Sequence, residues 1–262
     1  MYGPPEMRVV GTMRMLLLRP DQLGIITRPI SADMVDPIEL GELVQSYGTE
    51  IYGGIDGPMF SPCGDAFSAQ CARPDYGMID TRRSVSMASQ NPHDGMTIST
   101  FRTPFGGRAV ATRGFAPALG ATVAVQLYPS LVWNGEVQDV AESPLDTRAG
   151  LAIMQDGRLA LVISQQMTMA EFADALVSAG AVYAGYTDGG SSTAMAEMTG
   201  THGGERPVAV WLVAERYNLW STRKKVAVGL TTAAVIGGLV YAYQTTPEFR
   251  RGVDRTLKKL GG

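Results

Sequence analysis

Short apolar runs bounded by turn-forming residues recur through the first 215 residues and predict β-strands. Met13–Leu18 lies between arginines and is too short for the apolar part of a secretory signal, so we expect a strand there. Two more strands are predicted at Val182–Tyr186 and Val208–Val213. The predicted hairpins are Val123–Val132 with Val137–Val140 around Asn134-Gly135, and Leu151–Met154 with Leu159–Ile163 around Gln155–Arg158.

Two segments have the spacing of helices. Pro37–Tyr47 has apolar residues three and four positions apart, with proline at an early helical position. Thr168 and Glu171 form a capping box that predicts a helix ending at Gly180. Strands and helices together predict an α+β fold, in which a mixed β-sheet carries packed helices.

The segment 226–243 contains 18 residues without a charge. As a helix it would rise about 27 Å, close to the thickness of the hydrocarbon core of a bilayer. It is flanked by Arg223, Lys224 and Lys225 on one side and by Tyr241 and Tyr243 on the other. This pattern predicts a C-terminal transmembrane helix, and a buried soluble helix is the alternative. A stripe of small residues on which another helix could pack comprises Gly229, Ala233 and Gly237.

Charge is distributed unevenly along the 262 residues. The net charge is −3, but residues 216–262 carry nine basic and two acidic side chains, which leaves −10 for residues 1–215. We therefore expect a domain over 1–215 and a basic tail over 216–262 that contains the span. We expect the chain to be located in a membrane, with lipid as a partner. Association with a virus particle is one form that this location could take. A hydrophobic fraction of 45% excludes a disordered chain, and the net charge gives no reason to expect nucleic-acid binding.

Cysteine and histidine do not predict a metal site. Cys63 and Cys71 are the only cysteines, and His93 and His202 are distant from each other in sequence. A zinc site needs about four ligands with closer spacing, so neither a metal nor another cofactor is expected. The two cysteines form either a disulfide or two free thiols.

A loop rich in glycine and serine follows the predicted strand Val182–Tyr186. Asp188 stands at the end of this strand, where α/β sheets commonly bind ligands. Gly189 and Gly190 allow a ligand to approach the backbone, and Ser191 and Ser192 supply hydroxyl donors for a phosphate or a sugar. An ordinary tight turn is the alternative interpretation.

The stretch Thr147–Met195 resembles the phosphodiester glycosidase family, which includes a lysosomal enzyme and bacterial exopolysaccharide-associated relatives. It contains an arginine-initiated hairpin, a capped helix, a strand and an Asp-Gly-Gly-Ser-Ser-Thr loop, in the order of the family pattern. Tyr128–Gly135, Ile55–Phe60 and Glu205–Ala209 resemble three further family motifs, so that the resemblance covers residues 50–215. Departures from the family pattern occur at Asp56, Pro58, Thr187 and Ser191.

The resemblance implies hydrolysis of a sugar phosphodiester, with Asp188 as base or nucleophile and Arg148 as the phosphate clamp. It also implies that Asp56 faces these groups from the opposing motif. The candidate substrate-binding residues are Gly189, Gly190, Ser191, Ser192, Trp133, His202, Glu205 and Arg206. Trp133 would stack on a sugar, and His202 would act as an acid or base. For Glu205 and Arg206 the alternative is a structural ion pair.

Two functions follow from these features. The first is a membrane-anchored hydrolase that cleaves a sugar-phosphodiester linkage in an envelope or surface glycan. The second is a structural protein that recognises glycan without cleaving it, in a large assembly such as a membrane-containing virus particle. The first function is the one we expect, the departures from the family pattern are the reason to keep the second as an alternative, and an activity assay separates the two.

Overall fold

A computed structural model describes residues 4–27, 51–58, 60–61, 73–103, 106–190, 193–197, 200–203 and 210–215. Most of these residues lie in strands, joined by turns, one 3-10 turn (Pro20–Gln22) and the helix α1 (Met169–Ser178). The strands are β1 (Glu6–Val10), β2 (Met13–Leu18), β3 (Leu23–Thr27), β4 (Ile51–Asp56), β5 (Phe60–Ser61), β6 (Arg73–Pro74), β7 (Met78–Asp80), β8 (Val85–Met87), β9 (Met96–Thr103), β10 (Gly106–Arg113), β11 (Val123–Leu127), β12 (Ser130–Trp133), β13 (Glu136–Val137), β14 (Asp146–Met154), β15 (Leu159–Met167), β16 (Ala181–Gly189), β17 (Ala194–Glu197), β18 (Gly200–Gly203) and β19 (Val210–Glu215).

The strands form one sheet of seven strands, two of five and one of two. The orders are β1-β2-β15-β14-β16-β12-β13, then β10-β9-β11-β7-β8, then β18-β17-β4-β19-β3, and finally β5-β6. One face of the seven-stranded sheet packs against both five-stranded sheets, and the other face packs against α1. The core therefore has two layers, one on each side of the seven-stranded sheet.

Strand β14 illustrates how the sequence produces both layers. Ala149, Leu151 and Ile153 belong to the cluster shared with the five-stranded sheets. Ala152 and Met154 belong to the cluster beneath α1. Because successive side chains of a strand point to opposite faces, a continuous apolar run is buried on both sides.

Helix α1 begins where the capping box predicts. The Thr168 hydroxyl accepts a hydrogen bond from the Glu171 N–H at 3.2 Å, and the Thr168 N–H donates to the Glu171 carboxylate at 2.8 Å. Phe172 and Leu176, four residues apart, are fully buried against the sheet. Gly180, with φ of +94°, follows the helix end in the left-handed conformation that glycine favours.

Both predicted hairpin turns are confirmed, but the predicted strand Val137–Val140 is wrong beyond Val137, because β13 ends there. Ile153 pairs with Leu159 across the turn between β14 and β15, and Trp133 pairs with Glu136 across Asn134-Gly135. Val123–Val132 forms two strands rather than one, because the chain leaves β11 at Tyr128-Pro129 and enters the seven-stranded sheet as β12. Met13–Leu18 forms β2 as predicted.

The prediction of an α+β fold with packed helices is wrong, because the described residues are mostly β-strands with a single α-helix. The strands between residues 73 and 113 were not predicted from the sequence. Strands β9 and β10 are rich in threonine, serine, glycine and arginine, so their apolar periodicity is weak.

Among the described residues, no helix is both long and apolar enough to cross a membrane. The predicted span at 226–243, with Gly229, Ala233 and Gly237, lies outside the described residues. The predicted helix Pro37–Tyr47 and both cysteines, Cys63 and Cys71, also lie outside them.

Candidate functional site

The candidate site lies at one end of two inner strands of the seven-stranded sheet, where β14 begins and β16 ends. Arg148 of β14 pairs with Gly189 of β16 at this edge. The chain then leaves Gly190 and enters β17, where Met195 pairs with Ile55 of β4. Asp56 follows Ile55 at the end of β4. The chain after Asp188 therefore passes from the seven-stranded sheet to the five-stranded sheet that carries Asp56.

Tyr186 of β16 is the side chain that lies beside Arg148 and Gly189. Its hydroxyl accepts a long hydrogen bond from Arg148 Nη1 at 3.5 Å, and the guanidinium carbon lies 5.9 Å from the ring centroid. Burial raises the pKa of Tyr186 to about 12, with Arg148 opposing the shift and the negative charges of Asp188 and Asp56 adding to it. The hydroxyl is therefore protonated at neutral pH, within electrostatic range of one cation and two carboxylates.

The Arg148 guanidinium is held in place by oxygen acceptors. Nε donates to the Met167 carbonyl at 3.1 Å, and Nη2 donates to Ser143 Oγ at 3.2 Å and to the Pro144 carbonyl at 2.5 Å. No carboxylate in the described part of the chain forms an ion pair with it. These contacts fix the orientation of the guanidinium and direct Nη1 toward Tyr186.

Asp188 lies at the end of β16 and is partly exposed. Its Oδ1 accepts a hydrogen bond from the Gly189 N–H at 2.8 Å. The following turn is fixed at the Gly190 carbonyl, which accepts from the Thr147 hydroxyl at 2.9 Å and from the Thr193 N–H at 3.1 Å. Hydrogen bonds thus hold the backbone at Gly189 and Gly190, directly after the carboxylate.

Both glycines after Asp188 are required by the local structure. A Cβ atom on Gly189 would overlap the Tyr186 hydroxyl, and Gly190 has a φ of +70°. Glycine at position 189 therefore makes room for the tyrosine, a reason that the sequence alone did not reveal.

Asp56 is fully buried at the end of β4, opposite Trp211 of β19. The next residue, Gly57, donates its N–H to the Val210 carbonyl at 2.8 Å, which continues the strand pairing. Asp56 contributes its charge to the surroundings of Tyr186 from the second sheet.

Trp133 lies elsewhere in the molecule. It opposes Tyr183 near the start of β16. Because a strand rises about 3.3–3.4 Å per residue, this position is about 17 Å along β16 from Asp188. The Arg113 guanidinium carbon is 3.9 Å from its ring centroid, and the Tyr183 ring meets it edge-on at 5.2 Å. Arginine therefore covers one face of the indole.

The other predicted site residues are only partly within the described chain. His202 belongs to β18, where its backbone pairs with Met195. Ser191, Ser192, Glu205 and Arg206 lie outside the described residues. Within the described ranges, no group of three or more His, Cys, Asp or Glu side chains could hold a metal ion.

Asp188, Arg148 and Asp56 were predicted from the sequence as site residues and their roles stay predictions, whereas Tyr186 was not singled out. A signal was present, because Tyr186 precedes Asp188 by two positions on one strand. Ser143 and Pro144, which hold Arg148, stand in an irregular segment and gave no signal of their own.

The sequence pattern of the phosphodiester glycosidase family matches residues 59–215, more than half of the chain. No curated protein sequence matches this chain. Two solved structures are similar in fold, each with 12% sequence identity and a TM-score of 0.53.

The first is the catalytic domain of zebrafish N-acetylglucosamine-1-phosphodiester alpha-N-acetylglucosaminidase, auto-inhibited by its pro-peptide; the match covers 78% of this chain and 77% of that one. The second is a protein of Burkholderia pseudomallei described as exported, with 77% of this chain and 73% of that one covered.

Proposed function

Because the chain belongs to the phosphodiester glycosidase family, we propose that it hydrolyses the bond between the anomeric carbon of a sugar and the phosphate of a phosphodiester, in an envelope or surface glycan. Similarity in fold to a phosphodiester glycosidase catalytic domain supports the reaction class. Similarity to a protein described as exported supports a substrate outside the cell.

The observation that carries the proposal is the position of the Tyr186 hydroxyl, which accepts from Arg148 Nη1 at 3.5 Å and lies against Gly189, the residue after Asp188. The negative charges of Asp188 and Asp56 add to the raised pKa of this tyrosine. Hydrolysis of a sugar phosphodiester has two centres of developing charge, an anionic phosphate and a cationic anomeric carbon. A site with a cation and a donor on one side and carboxylates on the other matches both.

Tyr186 and Arg148 serve the phosphate side in this proposal. A protonated phenol donates a hydrogen bond to the phosphate oxygen that leaves the sugar, and the fixed guanidinium adds positive charge behind it. A phosphate leaves as a stable anion, so charge stabilisation is sufficient and full proton transfer is unnecessary.

Asp188 serves the sugar side. Its partly exposed carboxylate stabilises the positive charge at the anomeric carbon and accepts the proton of the water that replaces the phosphate. The bond between the anomeric carbon and the bridging oxygen breaks, and the products are a free sugar and a phosphate monoester. Asp56 raises the negative potential at the same point from the neighbouring sheet.

Glycan recognition without cleavage is the second candidate. It is favoured by the environment of Arg148, whose Nε and Nη2 groups are occupied by protein oxygen atoms rather than open to a phosphate. In this case the chain would keep the fold and bind the glycan without releasing a sugar.

The test is an assay of the full chain on a sugar 1-(methyl phosphate) diester, in which free sugar and methyl phosphate are quantified. We expect both products in equal amounts, and at least a hundredfold slower release with Asp188→Asn, because asparagine keeps the shape and loses the charge. Asp174→Asn, an exposed carboxylate on α1, is the matched control and should retain full activity. No release by the folded wild-type chain would contradict the proposal and leave glycan recognition.

A further inference from the structure

A second feature lies beside the candidate site, a cleft of about 650 Å³ on the edge of the seven-stranded sheet. This volume is in the range of about 300–1,000 Å³ that is usual for ligand pockets. One wall is the turn His93–Gly95, the floor is formed by Tyr128–Ser130, and the other wall is the segment Gln138–Ser143.

The cleft is directly connected to the candidate site. Ser143 at its end accepts a hydrogen bond from Arg148 Nη2 at 3.2 Å. Its floor is bonded to the backbone of Tyr186: the Tyr128 N–H donates to the Tyr186 carbonyl at 3.2 Å, and the Tyr186 N–H donates to the Pro129 carbonyl at 3.1 Å. A chain-like substrate that reacts at Tyr186 would therefore have the cleft as its neighbouring surface.

Both walls are fixed before any ligand binds. The buried side chain of Gln126 donates to the carbonyls of Asn91 and Asp94, each at 2.8 Å, and so holds the first wall. The Ser143 hydroxyl accepts from the Met169 N–H at 2.7 Å, which ties the second wall to the start of α1. Preorganised walls lower the entropic cost of binding.

The lining of the cleft includes an exposed aromatic residue, Tyr128. Tyr128 is 40% exposed, and its ring stacks on the buried ring of Tyr76 with centroids 5.5 Å apart. An exposed aromatic ring that is held by a stacked neighbour offers a surface on which the apolar face of a sugar ring can pack.

The charges around the ring select the class of sugar. Asp94, Asp139 and Glu142 line the cleft, against the single guanidinium of Arg113. Arg113 is in turn held by the Trp133 ring and by Gln138, to which its Nη2 donates at 3.0 Å. A cleft with a net negative lining attracts basic ligands, repels acidic ones and neither attracts nor repels neutral ones by charge.

We propose that this cleft binds neutral or amino-sugar units of the glycan that continue from the reacting phosphodiester, with one ring stacked on Tyr128. This inference rests on the proposed function for the direction of the chain but concerns a binding surface of its own. It also gives Trp133 a role different from the one expected from sequence, since Trp133 positions Arg113 at the cleft.

The test uses the full chain with Asp188→Asn, so that binding is measured without turnover, on an array of immobilised neutral, amino-sugar and acidic oligosaccharides. We expect retention of neutral and amino-sugar oligosaccharides only. Tyr128→Ala should weaken this binding at least tenfold, and Tyr128→Phe, which keeps the ring, should preserve it. Binding of acidic oligosaccharides alone, no binding, or binding unchanged by Tyr128→Ala would overturn the inference.

A second variant keeps the test decisive if Tyr128→Ala fails to fold. The double variant Asp139→Asn, Glu142→Gln changes two exposed side chains. It should lower the ratio of amino-sugar binding to acidic-sugar binding by at least threefold. An unchanged preference would overturn the inference. Failure of the proposed function is distinguishable, because hydrolysis of the methyl phosphate diester is measured separately and does not involve the cleft.

Discussion

At the scale of single residues, the proposed chemistry depends on the hydroxyl of Tyr186. We expect Tyr186→Phe to lower kcat by about 10- to 100-fold with little change in KM, because the lost donor acts on charge that develops in the transition state. Steady-state kinetics on the methyl phosphate diester measure this. Tyr183→Phe, on the same strand with its hydroxyl bonded to Asn134, is the matched control. Equal effects of both variants would remove Tyr186 from the mechanism.

The raised pKa of the same residue makes the fold sensitive to alkali. Burial of Tyr186 raises its pKa from 10.0 to about 12, so between these values the unfolded chain has lost a proton that the native chain keeps. The free energy of unfolding should therefore fall as pH rises from 10 to 12, by up to about 2–3 kcal/mol for a shift of this size.

Urea unfolding at a series of pH values measures this effect. Tyr76, whose pKa burial also raises to about 12, contributes in the same direction and remains in Tyr186→Phe. Tyr186→Phe should reduce the alkaline slope without abolishing it. An identical slope in the wild type and the variant would contradict the burial of the phenol.

At the scale of elements, the turn after β16 is built around the contact between Gly189 and Tyr186. We expect Gly189→Ala to destabilise the fold by about 1–3 kcal/mol, since the added methyl overlaps the tyrosine hydroxyl. In the Tyr186→Phe background the same change should cost measurably less, because the overlapping oxygen is gone. A double-mutant cycle in urea unfolding gives the coupling, and additive effects would contradict this packing.

Elements with local turn chemistry could be predicted from the sequence. The hairpins at Asn134-Gly135 and Gln155–Arg158 and the capped helix α1 are specified by residues within a few positions of each other. Strands β9 and β10 could not, because their small and polar residues are ordered by pairing across the sheet rather than by a periodic apolar pattern.

The candidate site also has a part that local sequence predicts and a part that it does not. Asp188 and Arg148 were predicted as site residues from motifs that are continuous in sequence. The effect of the Asp56 charge on the pKa of Tyr186 depends on the approach of two sheets, which no local pattern encodes. Trp133 was assigned from its position beside a hairpin, but the pairing of β12 with β16 places it at the opposite end of the strand from Asp188.

At the scale of the whole molecule, a buried charge cluster joins the two five-stranded sheets. Asp80 of β7 accepts from the Ile25 N–H of β3 at 3.1 Å and from Arg82 Nη2 at 2.7 Å. Arg82 also forms an ion pair with Glu215 of β19 at 3.0 Å. Burial alone would raise the pKa of Asp80, but the hydrogen bonds and charge of Arg82 and the Ile25 N–H outweigh it and hold this pKa below its usual range.

This cluster predicts a dependence of stability on acid. Because the pKa of Asp80 is lower in the native chain, the unfolded chain binds more protons, and the free energy of unfolding should fall as pH decreases below about 4. Asp80→Asn should cost about 3–5 kcal/mol at neutral pH and flatten the acid slope. Urea unfolding measures both effects, and Asp174→Asn is the exposed control. An unchanged acid slope in Asp80→Asn would contradict the role of the cluster.

The central claim is that the chain breaks the bond between the anomeric carbon and oxygen. The most direct measurement is hydrolysis of the sugar 1-(methyl phosphate) diester in water enriched in oxygen-18, followed by mass spectrometry of both products. The claim predicts the label in the released sugar and unlabelled methyl phosphate, with both signals lost in Asp188→Asn. A label in the phosphate product, or release of sugar 1-phosphate, would show attack at phosphorus and contradict it.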